Sequence, residues 1–318
     1  CVRVTLDMES LITSAFLTSL LAGTVAAAIP LLLAGLGEQI SEKAGVLNIG
    51  LEGMMLLGAY AGFYFAWSSN SLWLGLLSGA IAGALLAVPM MLLCVWLGLN
   101  QIVVGIALTL GAQGTTALLH HVQFSRSYPR LPKVETFPLP LLSDIPFLGS
   151  AVFSRHPLVY LALLLVPLLA WLLRQTIVGI NLHAAGDRPE ALDAAGVSVA
   201  VTRCWALLFT GVMAGLGGAY LATIGAGIFV PFITNGAGFI AIVLAMLARG
   251  RPLWVLAGSL LFGACLSLTT ALQVAGLPVP TDIVQMLPFA AVMLVLVLFA
   301  RRDALPAALA QPYLRGGK

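Results

Sequence analysis

The chain has 318 residues, of which 60% are hydrophobic and 8% are charged, and its formal net charge is +3. Its mean hydropathy is +1.05, whereas soluble globular domains carry about 25% charged residues, so the composition excludes a soluble protein. The basic residues form no Lys- or Arg-rich stripe, which excludes nucleic acid as a partner. The remaining class is an integral protein of the lipid bilayer with several crossings.

Charge-free apolar stretches predict the crossings, because the hydrocarbon core needs about 20 apolar residues in a helix. We predict an all-α fold, a bundle of about nine transmembrane helices, with about eight or ten also compatible. The predicted spans are residues 11–34, 47–67, 72–95, 101–120, 157–173, 204–224, 237–248, 253–271 and 283–300. The span at 237–248 is short, and it is compatible with a tilted helix or with one that follows a half-helix.

The loops predict one orientation in the membrane, because cytoplasmic loops carry an excess of Lys and Arg. The basic C-terminal end predicts a cytoplasmic C-terminus and, with an odd number of crossings, an external N-terminus. Its basic residues are Arg301, Arg302, Arg315 and Lys318. We expect a single transmembrane domain over residues 1–318, with an extracytoplasmic loop at 121–156 and a cytoplasmic loop at 174–203. The first apolar run is too long for a signal peptide, and Met8 is compatible with a native start.

Glu52 is the most conspicuous ionisable residue within a predicted span, and a carboxylate in a membrane is a candidate functional group. Asn48 precedes it by four residues, so on one continuous helix both side chains share a face. The pair is compatible with binding a polar solute, with orienting a helix broken around Gly45 and Gly50, or with an interhelical hydrogen bond. Gln113 is a similar polar residue, deep within its span.

A second candidate wall of a solute path is the glycine-rich segment at residues 224–239. Phe229, Phe232 and Phe239 are aromatic and can stack on a ring, while the amide of Asn235 can bind a polar edge. Aromatic residues at membrane edges are also typical interface anchors. The glycine pairs Gly58/Gly62, Gly79/Gly83 and Gly211/Gly215 have the spacing that lets membrane helices pack closely.

The cytoplasmic loop at 174–203 contains signals for one short helix. Asp187 is a suitable N-cap, Glu190 completes a capping box, and Pro189 fits the first turn. Gly196 is a suitable left-handed stop. The helix is too short and too polar to cross a membrane, so it is suited to dock on a soluble partner or to serve as a simple connection.

The residues of this loop, E-A-L-D-A-A-G, resemble the coupling loop of permease subunits of ATP-binding cassette importers. The block G-E-Q-I-S-E-K-A-G-V-L-N-I-G-L-E-G-M-M-L-L-G-A-Y (Gly37 to Tyr60) resembles the simple-sugar and nucleoside branch of that family. The block Leu99 to Leu110 and the glycine-rich block Gly211 to Gly227 are similar too. The resemblance covers about residues 11–300, and its one departure is Leu192, which stands where the family has a second Ala.

The resemblance implies a bacterial plasma-membrane permease that imports nucleosides or a related sugar-like solute. It implies three kinds of partner: two cytoplasmic ATPase subunits, a second permease and an extracytoplasmic solute-binding protein. The chain has no P-loop of its own, because its Gly317–Lys318 pair lacks a following Ser or Thr. The residues expected to couple to the ATPase are Asp187, Arg188, Glu190, Asp193, Ala194, Ala195 and Gly196.

Two other functions stay open at this point: a branched-chain amino acid permease and a secondary transporter that uses Glu52 as its proton site. A secondary transporter is expected to show inverted repeats, and the sequence has no convincing repeat. The four histidines lack metal-ligand spacing, so we expect no metal. The sequence contains no G-x-S-x-G elbow and no paired intramembrane Asp, so we expect no catalytic residue, and we expect no cofactor.

Overall fold

The computed structural model describes residues 14–125, 127–132, 134, 136–138, 152–274 and 306–313, together with Met286, Ala290, Met293, Leu294 and Val297. The helices of the described residues are α1 Ser14–Lys43, α2 Leu51–Ser69, α3 Leu72–Met90, α4 Gln101–Phe124, α5 Pro157–Gln175, α6 Ile177–Asp187, α7 Pro189–Ala194, α8 Val199–Tyr220, α9 Ala237–Ala248 and α10 Pro252–Val274. The prediction of an all-α fold is confirmed. The strands β1 Phe137–Pro138 and β2 Ser154–Arg155 form one short antiparallel ladder.

Side chains at the helix starts explain several boundaries. Asn100 Oδ1 accepts hydrogen bonds from the backbone nitrogens of Ile102 at 2.9 Å and Val103 at 3.2 Å, which begins α4. Ser198 Oγ does the same for α8 by accepting from the Val201 nitrogen at 3.4 Å. Such caps satisfy amides that have no partner within the helix.

Among the described residues, five helices are long and apolar enough to cross a membrane. They are Thr18–Lys43, Leu72–Trp96, Gln101–Phe124, Pro157–Gln175 and Val199–Gly225. Large apolar side chains such as Trp73, Leu85 and Val122 are exposed, as expected of surfaces that face lipid. The ninth predicted span, 283–300, lies mostly outside the described residues, although Met286, Ala290, Met293, Leu294 and Val297 are helical.

Two predicted boundaries are wrong at the same place. The first helix does not end at residue 34 but continues through Lys43, and the second begins at Leu51 instead of residue 47. The polar residues Glu38 and Glu42 ended the predicted span, yet both are buried inside the protein. Gly45 has a φ of +86° and breaks the chain between the helices, so the broken helix expected around Gly45 and Gly50 is present.

Two helices continue into π-helical turns, at Met91–Trp96 after α3 and at Leu221–Gly225 after α8. The predicted spans at 72–95 and 204–224 therefore contain two kinds of helix. The short span at 237–248 coincides with α9.

The described residues form two compact units, and the larger consists of Ile29–Lys133, Ala162–Ser259 and Arg301–Lys318. Its centre is the packing of α2, α3 and α8, whose contact surfaces are lined by glycine. A Cβ on Gly215 would collide with the Gly79 carbonyl oxygen, and one on Gly83 would collide with the Gly211 carbonyl oxygen. The prediction that these glycines let helices pack closely is confirmed.

The smaller unit consists of Cys1–Ala28, Val134–Leu161 and Leu260–Ala300. Within it, Ser267 Oγ donates a hydrogen bond to the Leu20 carbonyl at 2.8 Å. The Tyr160 hydroxyl donates to the Phe137 carbonyl at 3.1 Å and accepts from the Arg155 nitrogen at 3.0 Å, which fastens the ladder to the start of α5. Burial lowers the pKa of His156, which precedes that helix.

Candidate functional site

Glu52 lies in the first turn of α2, and its side chain binds the start of α9. Its Oε1 accepts hydrogen bonds from the Thr234 hydroxyl at 2.6 Å and the Gly236 nitrogen at 2.9 Å. Its Oε2 accepts from the Gly238 nitrogen at 2.6 Å. The carboxylate, which is only 2% exposed, therefore caps a helix that is distant in sequence.

The surroundings of Glu52 explain how a buried carboxylate is tolerated. Gly236, the N-cap residue of α9, supplies no side-chain cap of its own, so Glu52 fills that role. The first turns of α2 and α9 both direct backbone N–H groups and the positive end of a helix dipole toward this region. The negative charge is thus compensated by two helix starts, and no Lys or Arg pairs with it in the part of the chain that the structure describes.

The turn between α1 and α2 is braced by polar side chains. Glu38 Oε1 accepts from the Asn48 backbone nitrogen at 3.0 Å, and Gln101 Oε1 accepts from the Leu47 nitrogen at 2.8 Å. Thr109 Oγ1 donates to the Ile49 carbonyl at 3.4 Å. These bonds hold a non-helical segment rigid just before Glu52.

Asn48 belongs to that turn, so the prediction that it shares a helical face with Glu52 is wrong. Its amide nitrogen contacts the Met54 sulfur at 3.3 Å. Its Oδ1 is buried and has no hydrogen-bond partner among the described residues. Asn48 therefore keeps an acceptor available, although it is not paired with Glu52.

Gln113 lies on α4 and is half-buried. A Cβ added to Gly111 or Gly114 would meet nothing within 4 Å. The surface of α4 next to Gln113 is therefore open in the described structure. No side-chain hydrogen bond brings Gln113 together with Glu52.

The three predicted phenylalanines have two different environments. Phe229 is fully buried and packs in an aromatic cluster, with its ring 5.2 Å from that of Tyr60 and 5.6 Å from that of His120. Phe232 and Phe239 are 53% and 43% exposed, and Asn235 is exposed between them. The structure thus distinguishes one buried, structural phenylalanine from two exposed phenylalanines and an exposed asparagine.

Glu52 is linked to the exposed Asn235 through the neighbours of Asn235 in the chain. Thr234 and Gly236, whose groups donate to Glu52, flank Asn235 directly. Phe232 and Asn235 both have a positive φ, of 63° and 42°, which is uncommon for residues with side chains. The hydrogen bonds to Glu52 hold this segment in a conformation that its sequence does not favour.

The loop at residues 174–203, predicted to be cytoplasmic, contains two helices where the sequence predicted one. Residues 177–187 form α6, so Asp187 ends a helix and the prediction that it caps the next one is wrong. Arg188 occupies the N-cap position of α7 without a side-chain hydrogen bond. The helix α6 has the sequence I-V-G-I-N-L-H-A-A-G-D. It begins at Ile177 because Thr176 Oγ1 caps it, accepting a hydrogen bond from the Gly179 nitrogen at 3.2 Å.

The end of α7 agrees with prediction. Gly196 has a φ of +84°, its nitrogen donates to the Asp193 carbonyl at 2.9 Å, and the Val197 nitrogen donates to the Leu192 carbonyl at 3.2 Å. This pair of bonds is a Schellman motif. Pro189 occupies the first helical position, as predicted.

One face of α7 packs against the protein, and the opposite face is exposed. Leu192 is buried and packs with Ala185 and Val199, so the residue that departs from the family pattern is the anchor of the helix. Asp193 is half-buried. The remaining predicted coupling residues are exposed: Asp187, Arg188, Glu190, Ala194, Ala195 and Gly196.

Sequence reasoning missed two residues that organise this region. Sequence analysis gave no structural role to Arg203, yet it is 3% exposed and donates to three backbone carbonyls. Tyr313 was not considered, and its hydroxyl donates to Asp193 Oδ2 at 3.2 Å. The signal for Arg203 was a single Arg within an otherwise uncharged helix. No sequence signal indicated the role of Tyr313.

Comparison with known proteins shows the family of this chain. The family described as the permease component of a branched-chain amino acid transport system matches residues 20–298. The chain belongs to this family. It is accordingly a multi-pass membrane protein and a transport component, not itself a catalyst.

The similar proteins are named for different solutes. TsgC13 of Haloferax volcanii, named for a glucose ABC transporter permease, is 41% identical over 78% of this chain and 76% of its own length. The nucleoside ABC transporter permease NupC of Lactococcus lactis is 31% identical over 90% of this chain and 93% of its own. The guanosine ABC transporter permease NupQ of Bacillus subtilis is 30% identical over 94% and 98%.

Proposed function

We propose that this permease imports nucleosides or a related sugar-like solute across a bacterial plasma (inner) membrane. The names of the similar permeases support this solute class. The family description and the sequence left branched-chain amino acids as the alternative. The exposed side chains of Phe232, Asn235 and Phe239 favour a ring-bearing polar solute, because aromatic faces stack on rings and an amide binds hydroxyl or base edges.

The proposed machine has further parts. Two cytoplasmic ATPase subunits drive it, a second permease pairs with it, and an extracytoplasmic binding protein delivers the solute. The chain itself crosses the membrane about nine times, with its N-terminus outside. Transport proceeds by alternating access, in which closure of the ATPases moves the helix bundle.

The observation that carries the proposal is the construction of α7. The helix is short, capped at its end by Gly196 and anchored by Leu192, and its residues Glu190, Ala191 and Ala194 are exposed. Such a helix is suited to fit a cleft of an ATPase subunit. Glu190 and Asp193 supply polar contacts, while Ala194 and Ala195 allow close approach.

Within this proposal Glu52 supports the solute path instead of carrying protons. Its two oxygens already accept three hydrogen bonds, and a proton on Oε2 would face the donor N–H of Gly238 at short range. The secondary-transporter alternative therefore has no support from the geometry of Glu52.

The test is ATPase stimulation in a reconstituted complex of the permeases, ATPase subunits and binding protein. The binding protein is loaded in turn with a purine nucleoside, a pyrimidine nucleoside, ribose, glucose or leucine. Stimulation by a nucleoside or sugar that is lost in the double variant Glu190→Lys/Asp193→Lys supports the proposal. Stimulation by leucine alone overturns the solute class, and absence of any ATPase association overturns the ATP-driven mechanism.

A further inference from the structure

Residues 306–313 form a strap that lies across the turn after α1 and the end of α6. The Ala308 nitrogen donates to the Gly186 carbonyl at 2.8 Å, and the Ala310 nitrogen donates to the Gly45 carbonyl at 3.1 Å. Ala308 is buried. The strap is therefore joined by its backbone to two segments that are far apart in sequence.

Arg203 of α8 binds the same three segments, which are the turn after α1, the end of α6 and the strap. Its Nε donates to the Ala44 carbonyl at 3.1 Å, its Nη2 to the Ala185 carbonyl at 3.2 Å, and its Nη1 to the Gln311 carbonyl at 2.8 Å. A planar guanidinium with five donors can satisfy several acceptors at fixed angles, which a lysine cannot. The three acceptors are backbone carbonyls, so the arginine fixes the chain path rather than a side-chain partner.

The strap reaches α7 at Tyr313. The Tyr313 ring packs on the cluster of Ala185, Leu192 and Val199, and its hydroxyl binds the Asp193 carboxylate. This contact joins the strap to α7 two residues beyond Gln311, where Arg203 holds it. A chain of polar contacts thus runs from Asp193 through Tyr313, the strap and Arg203 to Ala44.

The segment at Ala44 leads directly to the candidate solute path. The turn that starts there is held by Glu38 and Gln101 and ends at Gly50. Two residues later comes Glu52, which caps α9. A rigid connection between α7 and this turn would therefore carry a displacement of α7 toward the segment that bears Phe232 and Asn235.

We propose that Tyr313 and Arg203 are positioning residues for ATP-driven transport, because they tie α7 to the turn between α1 and α2. This inference rests on the proposed function. In this role neither residue has to contact the solute or ATP, because their contacts are with the protein itself. Their role is to make movement of α7 and movement of the turn one event, so their loss uncouples hydrolysis from import.

The experiment measures solute imported per ATP hydrolysed by the complete transporter in liposomes. Tyr313→Phe removes one hydroxyl and keeps the ring, and Tyr160→Phe is the matched control, since its hydroxyl is also bonded in a half-buried site but in the other unit. We expect Tyr313→Phe to lower the ratio about three- to tenfold, the range for one partly exposed hydrogen bond, and the control to leave it unchanged. A purely structural role would lower the amount of assembled complex without changing the ratio.

Two further variants test the connection. Arg203→Lys is expected to retain more of the ratio than Arg203→Met, because an ammonium can still bind one or two of the carbonyls. The effects of Tyr313→Phe and Asp193→Ala should be non-additive if both break the same contact. An unchanged ratio in Tyr313→Phe, or equal losses in Tyr313→Phe and Tyr160→Phe, overturns the inference.

The outcomes also separate this inference from the proposed function. If Glu190→Lys abolishes ATPase association while Tyr313→Phe leaves the transport ratio intact, the docking role of α7 stands and the strap has no part in coupling. If Glu190→Lys changes neither association nor stimulation, α7 is not the docking helix, and both the proposed coupling and this inference fail.

Discussion

Oε2 of Glu52 lies 2.6 Å from the backbone nitrogen of Gly238, and the two residues fit because position 238 has no side chain. A Cβ at Gly238 would lie 2.5 Å from the Glu52 Cα and 2.8 Å from its Oε2. The carboxylate and the glycine are therefore parts of one joint between α2 and α9. A hydropathy profile scores a glutamate and a glycine independently, but Glu52 and Gly238 act here as a pair.

The first prediction concerns Glu52→Gln. The amide oxygen can keep the bonds from Thr234 and Gly236, but the amide nitrogen then faces the N–H of Gly238, and two donors repel. We expect the free energy of unfolding to fall by about 1–3 kcal/mol, measured as a lower melting temperature of the purified protein in detergent. Glu190→Gln, at an exposed position, is the control for thermal stability. Equal melting temperatures for Glu52→Gln and the unmodified protein would contradict the capping role.

The second prediction concerns the glycine contacts of α3 and α8. In Gly215→Ala the new methyl group meets the backbone of Gly79 and Gly83, so we expect a loss of about 1–3 kcal/mol in stability. Gly114→Ala is the matched control, because nothing lies within 4 Å of its added Cβ and alanine favours a helix. Thermal unfolding of both variants distinguishes close packing from a general intolerance of glycine replacement, which would lower both melting temperatures alike.

The third prediction separates the two kinds of phenylalanine. Phe229→Ala should lower stability by about 3–5 kcal/mol, because a buried aromatic side chain leaves a cavity. Phe232→Ala removes an exposed side chain and should change stability by less than about 0.5 kcal/mol. If Phe232 stacks on the solute, its loss raises the KM of uptake about fivefold or more. Melting temperature and uptake kinetics together check this contrast, and an unchanged KM would remove Phe232 from the path.

The fourth prediction concerns two buried glutamates of α1. Both carboxylate oxygens of Glu42 are buried without a hydrogen-bond partner among the described residues, whereas Glu38 binds the Asn48 nitrogen. Removing a charge that lacks hydrogen bonds is favourable, so Glu42→Gln should keep or raise the melting temperature. Glu38→Leu leaves the Asn48 N–H unpaired and should cost about 1–3 kcal/mol. A loss of stability in Glu42→Gln as large as that in Glu38→Leu would show that Glu42 has a bound partner.

The sequence predicted those elements whose boundaries coincide with a change in polarity or with a glycine. The helix at 237–248 and the stop at Gly196 are confirmed because a turn residue marks each directly. The extension of α1 to Lys43 could not be predicted in this way. Its polar residues are buried against other segments, and local hydropathy contains no information about tertiary partners.

The sequence identified a residue of the candidate site, Glu52, but it did not predict the contacts that this residue makes. Glu52 stood out because a carboxylate is costly in a membrane, yet its partners are backbone amides, which every residue except proline carries and which no sequence pattern marks. Asn48 was paired with it on the assumption of a continuous helix, and the turn at Gly45 removes that pairing. Asp187 looked like a cap because the apolar residues before it were taken for a loop, when Thr176 starts a helix there.

The three acceptors of Arg203 also set an order for biogenesis. Ala44 and Ala185 leave the ribosome before Arg203, and Gln311 leaves it 108 residues after Arg203. Until that stretch is made, one N–H group of a nearly buried guanidinium has no carbonyl to bind. The contacts of Arg203 are therefore completed only after residue 311 has been made, and a nascent chain that stalls before that point lacks the strap that Arg203 binds.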